Sequence, residues 1–375
     1  MEPIRFRPPL YEQRYEFVKS YIHTHKPQKV ADLGCSECSL LHKLKFQDCI
    51  EELVGVDIDE DVLKRKGYTL TPLPIHYLEP LERPLTVTLY HGSVSEKDPA
   101  LLGFDLITCI ELIEHLESDV LEEFQDVLFG FMAPNAAVIS TPNVEFNVLL
   151  SENPRFRHPD HKFEWNRKEF QSWAMNISRQ YNYTVEFTGV GEAKPESKDV
   201  GYCSQIGIFR KNYTESEESM NNKKNYKNVY KRVLQVVYPS IREEKYLRNV
   251  VLNIALSHAN RMKSNFIQNL FPEEEDKTNT ADNEKEPYVM SHWCSSLQNL
   301  AETMESKDNP PYLEGDAIHV PLQTLFSIPK VKKLCGSLDV LQNMMNGEMP
   351  LSSDRSAIVY PLHVENDLDS DISDE

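Results

Sequence analysis

From residue 29 to residue 209, short apolar runs of strand character take turns with stretches of helical spacing, and few architectures accept such an order. Lys29–Cys35 (KVADLGC) reads as a buried parallel strand, with helical spacing over Ser39–Phe46. Leu53–Ile58 (LVGVDI) is a second strand, and Asp61–Lys66 begins another helix. Leu85–His91 alternates with period two, Phe104–Ile110 is a fourth strand, and a helix follows from Ser118 to Phe131. Ala136–Ser140 is a fifth strand, stopped by Thr141-Pro142-Asn143. After a helix over Asn166–Gln180, Tyr183–Val190 and Ser204–Phe209 follow one another as the sixth and seventh strands. Repeated βα units closed by a hairpin predict an α/β fold with a doubly wound, mostly parallel, seven-stranded sheet, Rossmann-like.

Beyond residue 212 this pattern stops. Glu215–Tyr230 is Ser/Glu and then Asn/Lys rich, as a linker is; Glu273–Glu286 is polar and charged; the last eleven residues hold six acids and no base. Residues 213–375 contain only three glycines, Gly315, Gly336 and Gly347. The expectation is one domain over 1–212 and a partly disordered, low-complexity extension over 213–375, with a helix around Glu243–Met262. A formal charge of −19 excludes a generally basic, nucleic-acid-coating protein, so any such contact needs a local patch. No apolar run reaches 18 residues and Met1–Arg7 holds no apolar h-region, so neither a membrane span nor a signal peptide is expected. Seven scattered cysteines then read as reduced thiols in a cytosolic or nuclear protein.

Ala31-Asp32-Leu33-Gly34-Cys35-Ser36-Glu37-Cys38-Ser39 lies between the first strand and the first helix, where such sheets bind ligands. Gly34 lets the backbone approach a ligand, and Asp32 can accept a hydrogen bond from a cationic amine. A plain strand–turn–helix would look the same. Asp57, however, ends strand two 23 residues after Gly34, where an acid receives two ribose hydroxyls. The second and third glycines of a dinucleotide loop are absent, and no Gly-Lys-Ser/Thr follows, so a nucleoside cofactor without phosphates fits better. S-adenosylmethionine answers that description. Cys35 and Cys38 form a C-x-x-C that is either a redox or metal pair or ordinary turn residues; no second Cys pair or nearby His completes a zinc set.

The fourth strand runs into Glu111-Leu112-Ile113-Glu114-His115. On a strand end rolling into a helical turn the two carboxylates and the imidazole can converge, and such a set suits a divalent cation. Residues 101–150 contain no Lys or Arg, so the acids lack a nearby counter-charge; a solvated acidic helix start is the alternative. Arg155-Phe156-Arg157-His158-Pro159-Asp160-His161-Lys162-Phe163-Glu164-Trp165 offers a fourth ligand, His158 or His161, beside five bases with Arg167 and Lys168. Phe156, Phe163 and Trp165 offer flat faces for stacking, with core packing the other reading of Phe163 and Trp165.

Glu111-x-x-Glu114-His115, Asp160-His161-Lys162-Phe163-Glu164-Trp165 and Pro8-Pro9-Leu10-Tyr11-x-Gln13-Arg14-Tyr15 together resemble the small-RNA 2′-O-methyltransferases of the Hua-enhancer family, over residues 5–212. With no long N-terminal RNA-binding extension, the chain resembles the animal form, which acts on Piwi-interacting RNAs. The resemblance implies methylation of the 2′-hydroxyl of the 3′-terminal nucleotide of small single-stranded RNA, which protects that end. It implies S-adenosylmethionine as donor and Mg²⁺ as metal, with Mn²⁺ or Co²⁺ also suited to a mixed oxygen and nitrogen shell. It also implies a Piwi-type carrier protein and a cytoplasmic location, germ-cell granules included. Carried over residue by residue, the catalytic metal ligands are Glu111, Glu114, His115 and His161, and the cofactor pocket holds Ser36, Asp57 and Ser93 besides Asp32 and Gly34. An RNA-end adaptor without catalysis, or a small-molecule methyltransferase, are the other readings. One departure stands out: Ser36 and Cys38 occupy positions where the wider methyltransferase loop has glycine, and neither takes positive φ as easily.

Overall fold

The computed structural model describes residues 4–150, 156–192, 200–212, 226–270 and 309–362, in two compact units, Met1–Arg242 and Glu243–Glu375. In the first unit eight strands make one sheet: β1 (Lys29–Leu33), β2 (Glu52–Asp57), β3 (Leu85–His91), β4 (Leu106–Ile110), β5 (Ala136–Pro142), β6 (Tyr183–Glu192), β7 (Tyr202–Lys211) and β8 (Lys231–Tyr238). Their order is β6-β7-β5-β4-β1-β2-β3-β8. Neighbours from β3 to β5 run parallel, while β7 against β5, β6 against β7 and β8 against β3 are antiparallel. The chain steps outward in one direction from β1 and in the other from β4, so the carboxyl ends of those two neighbours form the crevice where ligands settle.

Strand alternation divides the core into two layers. Val30 faces one layer with Val18, Ile22, Leu41, Leu44 and Leu63, while Ala31 and Leu33 face the other with Phe124, Leu128, Phe170 and Ile177. The first layer is covered by α1 (Leu10–His25), α2 (Ser39–Leu44) and α3 (Glu60–Lys66), the second by α5 (Ser118–Gln125) and α6 (Arg167–Tyr181); a short α4 spans Pro74–Leu78. The helical path expected to Phe131 continues, but from Asp126 to Met132 as a wide π turn. Asn166 caps α6 with a reciprocal Glu169 contact, which supports two of the otherwise unpaired N–H groups.

Two expectations are corrected. The sheet has eight strands, and the boundary lies near Arg242 instead of Asn212, because β8 pairs along the whole of β3 from Leu85↔Tyr238 to His91↔Lys231. The region beyond also contains a folded unit. α7 (Glu244–Leu270) begins at the helix expected around Glu243 and runs further, and α8 (Leu322–Phe326), α9 (Pro329–Cys335) and α10 (Leu338–Met345) join an antiparallel sheet of β9 (Tyr312–Glu314), β10 (Ala317–Pro321) and β11 (Ala357–Pro361). Its core holds Val251, Ala255, Val320, Leu325, Val331, Leu341 and Ile358. The three glycines whose scarcity suggested disorder all sit at positive φ, Gly315 at 59°, Gly336 at 72° and Gly347 at 85°, where a tight turn needs them. The polar stretch 273–286 and the acidic tail lie outside the described residues, as does most of the expected linker. Among the described residues no helix is long and apolar enough to cross a membrane.

Candidate active site

Asp32, Gly34, Ser36, Asp57 and Ser93 gather at the carboxyl ends of β1, β2 and β3. Gly34 and Cys35 donate backbone N–H to the Val56 carbonyl at 2.8 and 3.1 Å, which closes the loop against β2. Gly34 has φ +72°, and a Cβ there would lie 2.7 Å from Leu112. Ser36 at 42° and Cys38 at 60° are also left-handed, so the loop takes the glycine conformation without the glycines. Each such residue costs about 1–2 kcal/mol, held by the surrounding packing. Part of that hold is Asp57, whose two oxygens accept the N–H of Ser36 at 2.7 Å and of Asp59 at 2.9 Å. Ile58 beside it is exposed. Asp32 is buried and accepts from the Thr108 hydroxyl at 2.7 Å; burial pushes its pKa up to about 7, Thr108 opposing and Asp57 adding to the rise. Cys35 and Cys38 are buried free thiols; contact with Cys38 and burial hold the Cys35 thiol well above its usual pKa. Among the described residues neither belongs to a metal-type cluster, which favours turn residues.

One strand over, β4 ends in the acid–histidine cluster. Glu111 itself adopts φ +52° and is tied down on several sides. Its Oε1 accepts from the hydroxyls of Ser140 at 2.9 Å and Ser204 at 2.6 Å, and its Oε2 lies 3.3 Å from the Arg14 guanidinium. The counter-charge missing from residues 101–150 therefore comes from α1, where Leu10, Tyr11 and Arg14 of the N-terminal motif line the cavity. Glu114 is fully buried. Thr141 donates to its Oε2 at 3.0 Å, while Oε1 is buried with no hydrogen-bond partner. Burial, and then the neighbouring Glu111, push its pKa well up. A cavity of about 430 Å³ joins Glu111, Glu114, His115 and His161 with Arg157 and His158.

Within it the imidazoles of His115, His158 and His161 bring one nitrogen each within 4.8 Å of the others. Glu111 and Glu114 line the same cavity but are not in that tighter group. Burial first, then His161 and His158, lower the His115 pKa, which favours a neutral ring with a lone pair to give. His161 and His158 differ. The His161 side chain is 7% exposed and its Nδ1 lies 2.6 Å from Glu164; that of His158 is 54% exposed at the rim. An unpaired buried carboxylate oxygen in the same cavity as imidazole nitrogens is a donor set that fits a divalent cation.

The bases and aromatics of the 155–168 run are placed as follows. Arg157 is turned inward, donating to Asn147 Oδ1 and to the carbonyls of Cys203 and Asn143. Lys162 pairs with Glu117 at 2.9 Å and Arg167 with Glu145 at 2.7 Å. Phe163 and Trp165 stack on each other at 4.3 Å and pack on the core, leaving Phe156, 50% exposed, as the free aromatic. Arg155 lies outside the described residues. Arg14, Ser140, Ser204 and Glu164 were missed as site residues, since their partners are distant in sequence or, for Glu164, read as part of a motif centred on His161.

Comparison with known proteins bears on the whole chain. Residues 245–362 match the family described as the HENMT1 C-terminal domain. A small RNA 2′-O-methyltransferase of Xenopus tropicalis is 59% identical over 98% of this chain and 100% of its own length. Its counterpart in Gallus gallus is 48% identical over 97% of this chain and 96% of its own. Among solved structures, the small RNA methyltransferase HEN1 is similar with a TM-score of 0.54 at 34% identity, covering 64% of this chain and 28% of that one.

Proposed function

Because the chain belongs to the small RNA 2′-O-methyltransferase family, we propose that its first unit methylates the 2′-hydroxyl of the 3′-terminal nucleotide of small single-stranded RNA, with S-adenosylmethionine as donor. The protein is an enzyme, a methyltransferase acting on small RNA. The observation that carries the finer reading is the buried, unpaired Glu114 Oε1 beside the imidazoles of His115 and His161, one strand from the Asp32 loop.

Asp57 receives the donor's ribose hydroxyls with the lone pairs its two backbone contacts leave free, and Ile58 offers an apolar surface for the adenine. Asp32, as carboxylate, takes the amino group, and the Ser36 and Ser93 turns complete the pocket. The donor supplies an electrophilic methyl carbon, so orientation is the chain's main task. Thr108 on β4 and Asp32 on β1 are hydrogen-bonded neighbours, so the donor loop and the Glu111 turn are held in one frame. Glu111, Glu114, His115 and His161 would hold Mg²⁺, or Mn²⁺ or Co²⁺, for which nitrogen donors are better suited, and an ion held there would supply a lowered pKa and a fixed direction for the hydroxyl to be methylated. Selection of an RNA end with both terminal hydroxyls free needs no base readout. Phe156 stacks the last base, and the product end is protected.

On the same reading the RNA is a Piwi-interacting RNA delivered by a Piwi-type protein, and the enzyme works in the cytoplasm, germ-cell granules included. That the described cysteines are free thiols supports a reducing compartment. Methyl transfer from labelled donor to short RNAs tests the reading. Alanine at any of the four ligands abolishes transfer with the fold intact, His158→Ala costs much less, and RNA with a 3′-phosphate or a periodate-treated end is inert. Full activity in chelator, or equal labelling of 3′-phosphorylated RNA, refutes it.

A further inference from the structure

β8 runs antiparallel to β3, so its first residue lies at the carboxyl edge of the sheet. The register Asp57↔His91 and His91↔Lys231 puts the start of β8 level with the ends of β2 and β3. Tyr230, the residue before β8, therefore reaches the turn that follows β3. Its ring covers Gly92 so closely that a Cβ on Gly92 would fall 2.1 Å from it. Its hydroxyl lies 3.0 Å from the Ser93 carbonyl and 3.2 Å from the Glu96 carbonyl, one proton shared between the two. The turn is closed on itself as well, by Glu96 N–H on the Ser93 carbonyl at 3.1 Å and Ser93 N–H on the Glu96 carboxylate at 3.1 Å.

The approach of Tyr230 is fixed from behind. Asp98 is 1% exposed, and one of its oxygens accepts the N–H of both Val229 and Tyr230 at 2.7 Å each, while the other caps Ala100. On the far side Lys231 Nζ lies 2.7 Å from Glu60, at the start of α3 just after Asp57. The Tyr230 ring also belongs to the core layer beneath, so the Gly92–Glu96 turn is tied through Tyr230 to the packed interior of the sheet.

We propose that Tyr230 is a positioning residue for the methyl donor: its ring and hydroxyl clamp the Gly92–Glu96 turn so that Ser93 faces the donor pocket, which makes the segment after residue 225 part of the cofactor site. This rests on the reading that Ser93 and Asp57 line that pocket. Tyr230→Phe keeps the ring and removes the hydroxyl, and the net loss of one shared hydrogen bond corresponds to about a three- to tenfold effect. In the full-length protein, KM for S-adenosylmethionine and the calorimetric Kd for S-adenosylhomocysteine rise by that factor, while kcat at saturating donor, KM for RNA and Mn²⁺ affinity stay level. Gly92→Ala, which wedges the ring away, weakens donor binding further, but adds little in a Tyr230→Ala background because the clash partner is gone. Asp57→Ala runs beside them as the measure of the underlying reading. Weaker S-adenosylhomocysteine binding in Asp57→Ala with no change in Tyr230→Phe overturns the clamp and spares the pocket. No change in either removes the pocket and the clamp with it. A fall in kcat with donor KM unchanged also overturns the clamp, since it marks a general structural role.

Discussion

Replacing Glu164 by Gln leaves the side chain's volume intact and exchanges one oxygen for an amide nitrogen, in a position where three donors converge. Glu164 Oε1 accepts the Arg157 N–H at 2.5 Å and lies 2.6 Å from His161 Nδ1, and Oε2 accepts Asn147 Nδ2 at 2.6 Å. An ionised carboxylate only accepts, so His161 Nδ1 carries the proton and Nε2 keeps its lone pair for a cation. Glutamine has no orientation that serves all three. With its amide nitrogen at the Oε1 position it faces the Arg157 N–H and favours the opposite His161 tautomer, which blocks Nε2. Turned the other way it faces the Asn147 amide. Asn147 cannot flip to help, because its Oδ1 already accepts from Arg157 Nε at 2.6 Å. One donor–donor contact is thus unavoidable, at about 1–3 kcal/mol for the lost bond. On the reading that His161 is a metal ligand, the loss falls on its supporting partner, and Mn²⁺ affinity is expected to drop by about 10- to 100-fold. Calorimetric titration of Mn²⁺ into Glu164→Gln and the parent, with thermal melts of both, is the assay. A lowered melting temperature with unchanged Mn²⁺ affinity refutes the orienting role; two unchanged readings refute the hydrogen-bond network.

Three further outcomes are expected. On the reading that Asp32 receives the donor's cationic amine, Asp32, with its pKa pushed up to about 7, must first give up its proton, so S-adenosylhomocysteine affinity rises from pH 6 to about pH 8 and levels off above that; in Asp32→Asn the slope disappears, and a slope that survives there excludes Asp32 as its source. Ser36→Gly relieves about 1–2 kcal/mol of left-handed strain at φ 42°, less about 0.5–1 kcal/mol of glycine chain entropy, and so raises the urea midpoint slightly without loss of the Ser36 N–H contact to Asp57; a lowered midpoint contradicts this. Ending the chain after Asn212 removes Tyr230 and Tyr238 from the two core layers, each aromatic being worth about 3–5 kcal/mol, whereas ending it after Arg242 keeps them. The shorter product is expected to melt well below the longer one, and equal melting temperatures would return the boundary to 212.

The seven strands legible in the sequence are short apolar or alternating runs between clear turns, such as Lys29–Cys35 and Leu85–His91. β8 (KRVLQVVY) alternates as well, but it follows an Asn/Lys-rich stretch, and nothing local shows that its partner is β3, some 140 residues earlier. α1 passes unnoticed because only Val18, Tyr21 and Ile22 of its sixteen residues are buried, too thin a stripe for periodicity to reveal. The C-terminal strands of three to five residues are too short to show alternation at all. In the site, the spacing of Glu111, Glu114 and His115 was visible because one turn carries all three. Arg14 was not, since its contact with Glu111 joins residues 97 positions apart, and the inward turn of Arg157 depends on carbonyls from two other segments.

The hydroxyls around the two carboxylates have a bearing on ion size. Ser140 and Ser204 hold Oε1 of Glu111, and Thr141 holds Oε2 of Glu114, so each carboxylate plane is pinned through one oxygen. On the reading proposed above, Glu114 would offer a cation Oε1 and Glu111 would offer Oε2, which it shares with the Arg14 guanidinium 3.3 Å away, so neither would chelate with both oxygens. Two such oxygens, two imidazole nitrogens and two ribose hydroxyls make six donors, the number that small octahedral ions accept. Calcium prefers more oxygens, longer bonds and at least one chelating carboxylate. On that reading the serine and threonine side chains would act as a sieve, because a shell this small and this rich in nitrogen suits a small divalent ion better than calcium.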